Sequence, residues 1–380
     1  MTGRSCSNVH LARSSNIAQV SDSTSPLTPI AIVNSSSSKS DSVAKSDICC
    51  TASANASPLD PVMREMPQHV YDLNHLALLH HIENDMMKSP NTPFVANEED
   101  AQKLLEMVIT SALSTPYLMD QVLALAALHL SVLTSDATKQ RQYRHQAVHL
   151  QSRALALYNA ANPEVTDQNC TALLLFTSFV GMHMLFDTVS AQTDLLELLD
   201  KFIQFAGLHR GVGVVSKLRW HIIRKSELRS IVSVIEAAED KLVDQQPSGS
   251  ICDKLLNLLD TAKYRLGPSS LQACHDAVQS LQWTFNQYSA LQAPINRHIV
   301  FAWPVRSSIE YLEMLRSRQP EALVIMAHWA LLLHRERDFW VFGQGGQFLI
   351  EAISSYLGAY WDSWMMPLRE IMTADSIPKT

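Results

Sequence analysis

The sequence predicts an all-α protein, an irregular multi-helix domain preceded by a disordered Ser-rich tail. Three observations carry this. Apolar residues recur at steps of three and four over most of the chain, the spacing of a helix face. Gly is scarce, with 11 in 380 residues. Leu and Ala dominate many segments while runs of Val, Ile or Thr are few, a balance that favours helix over sheet.

Residues 1–65 read as the tail. Roughly a quarter of them are Ser, including the run Ser35 to Ser38, and Pro26, Pro29, Pro58 and Pro61 are interspersed. Such a segment cannot bury enough apolar surface to offset its ordering entropy. Residues 70–372 read as one helical region. Leu73, Leu76, Leu79, Ile82 and Met86 form the first stripe. Asn97 followed by Glu98, Glu99 and Asp100 reads as an N-cap with first-turn acids that complement the helix dipole. Thr115-Pro116 reads as a cap with Pro at the first helical position. The run Tyr117 to Leu133 is apolar almost all round and should be central.

Tyr143, Ala147, Leu150, Ala154 and Leu157 form the next stripe. Thr166 reads as a cap for a helix through Phe186, and another spans about Asp194 to Phe205. His209 to Gly213 reads as a turn, and residues 244–250, with Pro and Gly, as a loop. A helical segment from about Ile251 breaks at Gly267-Pro268. Gln319-Pro320-Glu321 opens a helix that is apolar from Ala322 to Leu333. Gly343, Gly345 and Gly346 make a turn, and Phe348 to Trp364 resumes the pattern with Leu349, Ile353, Tyr356, Tyr360 and Trp364 on one face. No repeat of fixed period occurs.

Composition excludes some functions. The chain is 47% hydrophobic, enough for a large core, and carries a net charge of −7. DNA phosphates attract clustered Lys and Arg, and no long basic run occurs. The nearest candidates, Lys139 to Arg144 and Arg219 to Arg229, read as solvated helix faces. The six cysteines, Cys6, Cys49, Cys50, Cys170, Cys252 and Cys274, are scattered and form no CxxC pair. The start lacks the basic-then-apolar pattern of a secretory signal, so they are expected to be reduced thiols, with Cys170 and Cys274 in the core. No segment has the ~20 uninterrupted apolar residues of a membrane span.

Candidate chemistry is sparse. His145 and His149 lie one turn apart, a spacing that can bind metal, but Gln146 stands where the metalloprotease motif needs a Glu base. An exposed or partner-facing pair is the better reading. His75, His80 and His81 have no Cys nearby, and surface or interhelix packing is expected. Gly343 to Gly346 and Arg210 to Gly213 lack the preceding strand and Lys-Ser/Thr ending of a phosphate loop. No GxSxG elbow occurs. No catalytic, cofactor-binding or metal-ligating residue is assigned, no cofactor is expected, and the chain is read as not an enzyme. Aromatics crowd the C-terminal part. Trp329, Trp340, Phe348, Tyr356, Trp361 and Trp364 are candidates either for core packing or for lining a pocket for an apolar ligand.

Several segments resemble fungal zinc-cluster transcription regulators related to the sterol-uptake-control type. They are Phe301 to Pro304, Gln319 to His328, Leu333-His334, Arg337 to Trp340, Gly345-Gly346, Leu349-Ile350 and Trp361 to Trp364, which resemble the closing signature of that family. Leu76 to His81, Leu123 to His129 and Leu208 to Gly211 are similar to earlier segments. The resemblance spans about residues 70–372 in order. It implies a helical fungal transcription-factor regulatory domain acting in the nucleus, with other transcription regulators or the transcription machinery as partners. In the sterol-sensing branch this region also binds a ligand. The family reads DNA with an N-terminal binuclear zinc cluster, and residues 1–65 contain neither that cluster nor its basic residues. Direct DNA binding by this chain is therefore not expected. Control of a metabolite biosynthetic gene cluster is the biology expected. An apolar-ligand-sensing module acting by protein contact and an unrecognised helical enzyme are the alternatives.

Overall fold

The computed structural model describes residues 71–88, 95, 97–190, 194–223, 229, 252–291 and 293–375, and of residues 210–223 the backbone only. The tail expected at residues 1–65 and the loop expected at 244–250 lie outside them, as do Cys6, Cys49 and Cys50. The described residues are helical, and no strand occurs among them. The helices are α1 (Leu73–His81), α2 (Glu98–Leu113), α3 (Pro116–Leu133), α4 (Ala137–Ala161), α5 (Cys170–Ser190) and α6 (Leu195–Ile223). After them come α7 (Asp253–Ala262), α8 (Pro268–Ala290), the short α9 (Arg297–Val300) and α10 (Ala302–Arg306), α11 (Ile309–Arg316), α12 (Pro320–Arg335), α13 (Gly345–Leu357) and α14 (Asp362–Asp375).

Their starts are chemically marked. The Asp72 carboxylate accepts from the amides of Asn74 and His75 at α1. Asn97 accepts from Asp100 at α2, Asp136 from Thr138 and Lys139 at α4, and Ser308 from Tyr311 at α11. The Asp194 carboxylate accepts from Leu196 and Glu197 at the start of α6. Each satisfies amides that the first turn leaves without intrahelical partners. Pro opens α3, α8 and α12, where its missing N–H costs nothing. Thr166 sits a turn ahead of α5 instead of capping it, its carbonyl accepting from the Cys170 amide at 3.0 Å.

Three helices are apolar almost all round and lie inside. Every residue from Glu321 to His334 of α12 is buried. α12 packs against α13, α14, α8 and α7, and α5 packs against α6, α3 and α13. α3 and α5 are long and apolar enough to cross a membrane by length and composition, with 78% and 67% of their apolar windows buried inside the fold. α3 packs lengthwise on α4. One continuous cluster of apolar residues runs from Leu78 to Met372 through these helices.

Three expectations need correction. Leu73 and Leu76 are exposed and α1 instead buries Leu78 and His81, although Ile82 and Met86 of the same expected stripe are buried in the turn after it and Leu79 is partly buried. Two overlapping apolar stripes compete on that helix, and spacing alone cannot choose between them. The expected turn at His209 to Gly213 is continuous helix within α6. Each Gly costs about 1 kcal/mol against Ala in a helix, too little to end one without Pro. The expected helix from Phe348 to Trp364 breaks after Leu357, where Gly358 adopts φ 73°. α14 begins afresh at Asp362, so Tyr356 and Tyr360 do not share a buried face with Trp364.

Glycine has a second role at the start of α13. A Cβ on Gly346 would lie 2.4 Å from the His334 amide nitrogen and 2.6 Å from the Ala330 oxygen, and one on Gly345 would lie 2.4 Å from Val189 Cβ. Their lack of a side chain lets α13 touch the backbone of α12 and the side of α5. Gly343, with φ 44°, makes the turn itself.

Candidate functional site

The candidate aromatics do not form one lining. They are distributed along α12 and the segments after it. Trp329 is fully buried, donates its indole N–H to the Val300 oxygen at 2.9 Å, and stacks on Trp303 with centroids 5.5 Å apart. Phe202 of α6 closes this group at 5.3 Å from Trp329. Trp303 in turn donates to the Ala277 oxygen at 3.0 Å, and the buried Tyr311 hydroxyl donates to the Ala322 oxygen at 2.8 Å. Each polar edge of these rings thus has a partner, the condition for burying Trp and Tyr without a penalty.

The remaining candidates lie elsewhere. Half-buried Trp340 sits between the rings of His129 and Phe186, joining the α12–α13 connection to α3 and α5. Phe348 and Trp364 are partly buried against the core. Trp361 is buried beneath the Arg265 guanidinium, 5.8 Å from its ring centre, while Tyr356 is 49% exposed.

Charged residues buried at helix junctions were not singled out by the sequence. Asp120, fully buried in α3, receives two hydrogen bonds of 2.6 Å from Arg153 of α4, and the Tyr71 hydroxyl donates to it at 3.3 Å. Burial, then the neighbouring Asp120 charge, pushes the Tyr71 phenol up to about 12. Glu336, at the end of α12, accepts from the Tyr288 hydroxyl at 2.5 Å and from Arg297 Nε at 2.8 Å, tying α8 and α9 to α12. Arg265 pairs with buried Glu321 at 2.8 Å. The signal available for these was a lone acid in an apolar run, as with Asp120 between Met119 and Gln121. The partner could not be read, because Arg153 lies on another helix.

Histidines divide by location. His145 and His149 are exposed on α4. His81 and His129 meet inside, Nε2 to Nδ1 at 3.0 Å, with Asp85 on the far nitrogen of His81 at 3.1 Å. Desolvation lowers the His81 pKa and takes His129 down to about 4, so the pair is neutral and shares one hydrogen bond. Desolvation also lowers His183 to about 3 and His209 and His328 to about 4. Among the described residues no group of three or more His, Cys, Asp or Glu is placed to hold a metal ion. Cys170, Cys252 and Cys274 are buried and unpaired with one another, and burial pushes the thiols of Cys252 and Cys274 up to about 12, where they are poor nucleophiles. The arrangement suits a rigid helical body whose polar groups lock helices together.

No protein-family model matches the chain. It is similar to a curated relative. A Zn(2)-C6 fungal-type transcription factor of Gibberella zeae is 26% identical to it over 292 residues, covering 70% of this chain and 54% of that protein. The chain thus spans about half the length of the relative it matches.

Proposed function

We propose that this chain is a fungal transcription regulator and that its helical region is the regulatory part, acting in the nucleus through contacts with other transcription proteins. The similarity to the Zn(2)-C6 fungal-type factor carries this reading, because it extends over 292 residues and 70% of this chain. The all-α architecture is consistent with it. The resemblance of the C-terminal segments supports the finer assignment to the sterol-uptake-control type; Trp303 and Gly346 of those segments stand at close helix contacts. Control of a metabolite gene cluster belongs to the same proposal. Of the aromatic candidates, Trp329, Trp340, Phe348, Trp361 and Trp364 are read as packing residues, which the complete burial and hydrogen bonding of Trp329 support, while Tyr356 is half exposed. α3 and α5 are read as core helices, which their burial favours.

A tethering experiment tests the central point. The chain is fused to an unrelated DNA-binding module and introduced into a fungal host that carries the matching reporter. The fusion is expected to accumulate in the nucleus and to change reporter transcription several-fold. A folded, nuclear fusion that leaves the reporter at the level of the bare DNA-binding module would remove the regulatory reading. Transcript profiles of a strain lacking the gene, if they revealed no contiguous group of altered biosynthetic genes, would remove the gene-cluster assignment alone.

A further inference from the structure

α4 departs from other surface helices in how it carries charge. α2, α6 and α11 each set a cation within a turn of an acid: Lys103 pairs with Glu99, Lys201 with Glu197 and Arg316 with Glu313. Such pairs steady an exposed helix. α4 carries Lys139, Arg141, Arg144 and Arg153 and no Asp or Glu over Ala137–Ala161. Arg153 reaches inward to Asp120. Arg144 lies over the Phe186 ring at 5.8 Å, and with Lys201 its charge offsets part of the burial effect that raises the Asp187 pKa. Among the described residues the ion pairs of α4 end with Arg153, so Lys139 and Arg141 have no acidic partner.

This arrangement costs the isolated helix. Lys139 stands in the first turn, where the helix dipole favours acids and where α2 has Glu98, Glu99 and Asp100. Arg141 and Arg144, three residues apart, repel each other. A purely solvated face gains nothing from either placement, whereas an acidic neighbour would offset both. The outer stripe is also not wholly polar. At about 100° per residue, Arg141, His145, Val148 and Ser152 fall on the side opposite the buried Ala147, Leu150 and Ala154. All four are exposed, and Val148 is 53% exposed in their midst. α4 packs on α3 and leaves this stripe uncovered.

We propose that this stripe is a docking face for an acidic amphipathic helix of another transcription protein. Acidic side chains a turn apart on the partner pair with Arg141 and Arg144, and an apolar residue beside them covers Val148. The steps of four, three and four along the stripe are those at which a second helix seats its own side chains. A partner that offers only phosphates leaves Val148 uncovered, and the net charge of −7 opposes its approach. The inference gives a chemistry to the protein contacts proposed above and rests on that reading.

The test uses the full chain and a labelled helical peptide of Ala, Leu and Glu, about twenty residues long, whose Glu and Leu share one face. Fluorescence anisotropy reads its binding. The peptide is expected to bind more tightly than about 100 µM at low salt and several-fold more weakly at about 0.3 M salt. The same peptide with Lys for Glu, and duplex DNA, are expected to bind at least about tenfold more weakly. Arg141→Glu removes a like-charge neighbour of Arg144, so it is expected to melt at or slightly above wild type while binding the peptide at least about tenfold more weakly. Val148→Ser is expected to weaken binding several-fold. The proposal is overturned if the Glu peptide does not bind at about 100 µM, if the Lys peptide or DNA binds as tightly, or if Arg141→Glu binds like wild type. Dimerisation of the chain that Arg141→Glu abolishes would also overturn it, by giving the face to a second copy. In the tethering assay Arg141→Glu is expected to lose most of the reporter change. A variant fusion as active as wild type sinks this inference alone, whereas an inactive wild-type fusion sinks the regulatory reading.

Discussion

α12 and α4 are both long helices rich in Ala and Leu, and their surroundings are opposite. Every residue of α12 from Glu321 to His334 is buried, while α4 buries only Ala147, Leu150 and Ala154 over Ala137–Ala161. α4 has no Asp or Glu within its span, and its Lys139, Arg141, Arg144, His145 and His149 lie in solvent. The difference teaches where one residue type changes its meaning. A histidine on α4 is a solvated surface group. His328 on α12 is an uncharged packing residue whose Nδ1 lies 2.8 Å from the Val324 oxygen. Substitution and acid should therefore act strongly on the inner helices and weakly on α4.

Acid is expected to have the largest effect. His183, His209 and His328 have folded pKa values lowered to about 3, 4 and 4 by burial, against 6.5 when exposed. Between those limits the unfolded chain binds the more protons, so stability is full above about pH 6.5 and is lost as pH falls toward 4. Each such imidazole costs roughly 2–3 kcal/mol by pH 5 or below. Asp187 acts the other way, because burial raises it to about 6 against the partial offset of Lys201 and Arg144. One carboxylate does not outweigh three imidazoles. Tm measured from pH 7.5 to 5 should fall steadily; a Tm that is flat or rises would contradict the buried, neutral assignment.

Trp329→Ala should be next, at about 3–5 kcal/mol, since it removes a fully enclosed indole and strands the Val300 carbonyl. Denaturant titration reads this directly. If the indole lined a pocket for an apolar ligand instead, the ligand-free mutant would keep nearly wild-type stability, and only ligand-dependent stabilisation would be lost.

How far these helices were legible follows from the same contrast. α12 and α3 announced themselves, because an apolar surface all round admits only a central position. Stripe residues Ala147, Leu150 and Ala154 of α4 were also legible. α1 was not, since Leu73, Leu76 and Leu78 offer two faces and only the packing against α3 selects Leu78. The length of α6 was hidden by Gly211 and Gly213, which lower helix propensity without forbidding it. Gly345 and Gly346 looked like turn residues. Their need for close backbone contact depends on where α12 and α5 lie, which no local pattern encodes. For the same reason the pairing of Asp120 with Arg153 was unreadable: it is assembled from separate helices.

Arg153→Met sharpens the comparison from the α4 side. Arg153 is the residue through which this surface helix reaches a buried charge, and its loss leaves the Asp120 carboxylate enclosed without a counterion. The expected cost is about 3 kcal/mol, large for a residue on an otherwise solvated helix. Adding Asp120→Asn to Arg153→Met should recover part of it, as chemical denaturation of the four members of the cycle would show. Gly346→Ala should cost about 1–3 kcal/mol, because its Cβ meets backbone atoms of α12 that have no rotamer to change. A wild-type melt for that variant would mean α13 approaches α12 less closely than described.

The smallest effect is expected on the solvated face of α4. His145→Ala and His149→Ala remove rings that are exposed and a turn apart, and the described residues include no third ligand to make them a metal pair. Each change should stay within about 0.5 kcal/mol of wild type, with Ala slightly favoured by helix propensity. Added Zn²⁺ should leave the Tm of wild type no higher than that of the double variant, since two ligands from one exposed helix do not complete a tetrahedral site. The reading of α4 as a solvated face fails if Zn²⁺ stabilises wild type specifically, or if either single variant loses more than about 1 kcal/mol. The second result would mean that this helix, whose inner contacts are otherwise confined to a narrow stripe, is covered on its outer side as well.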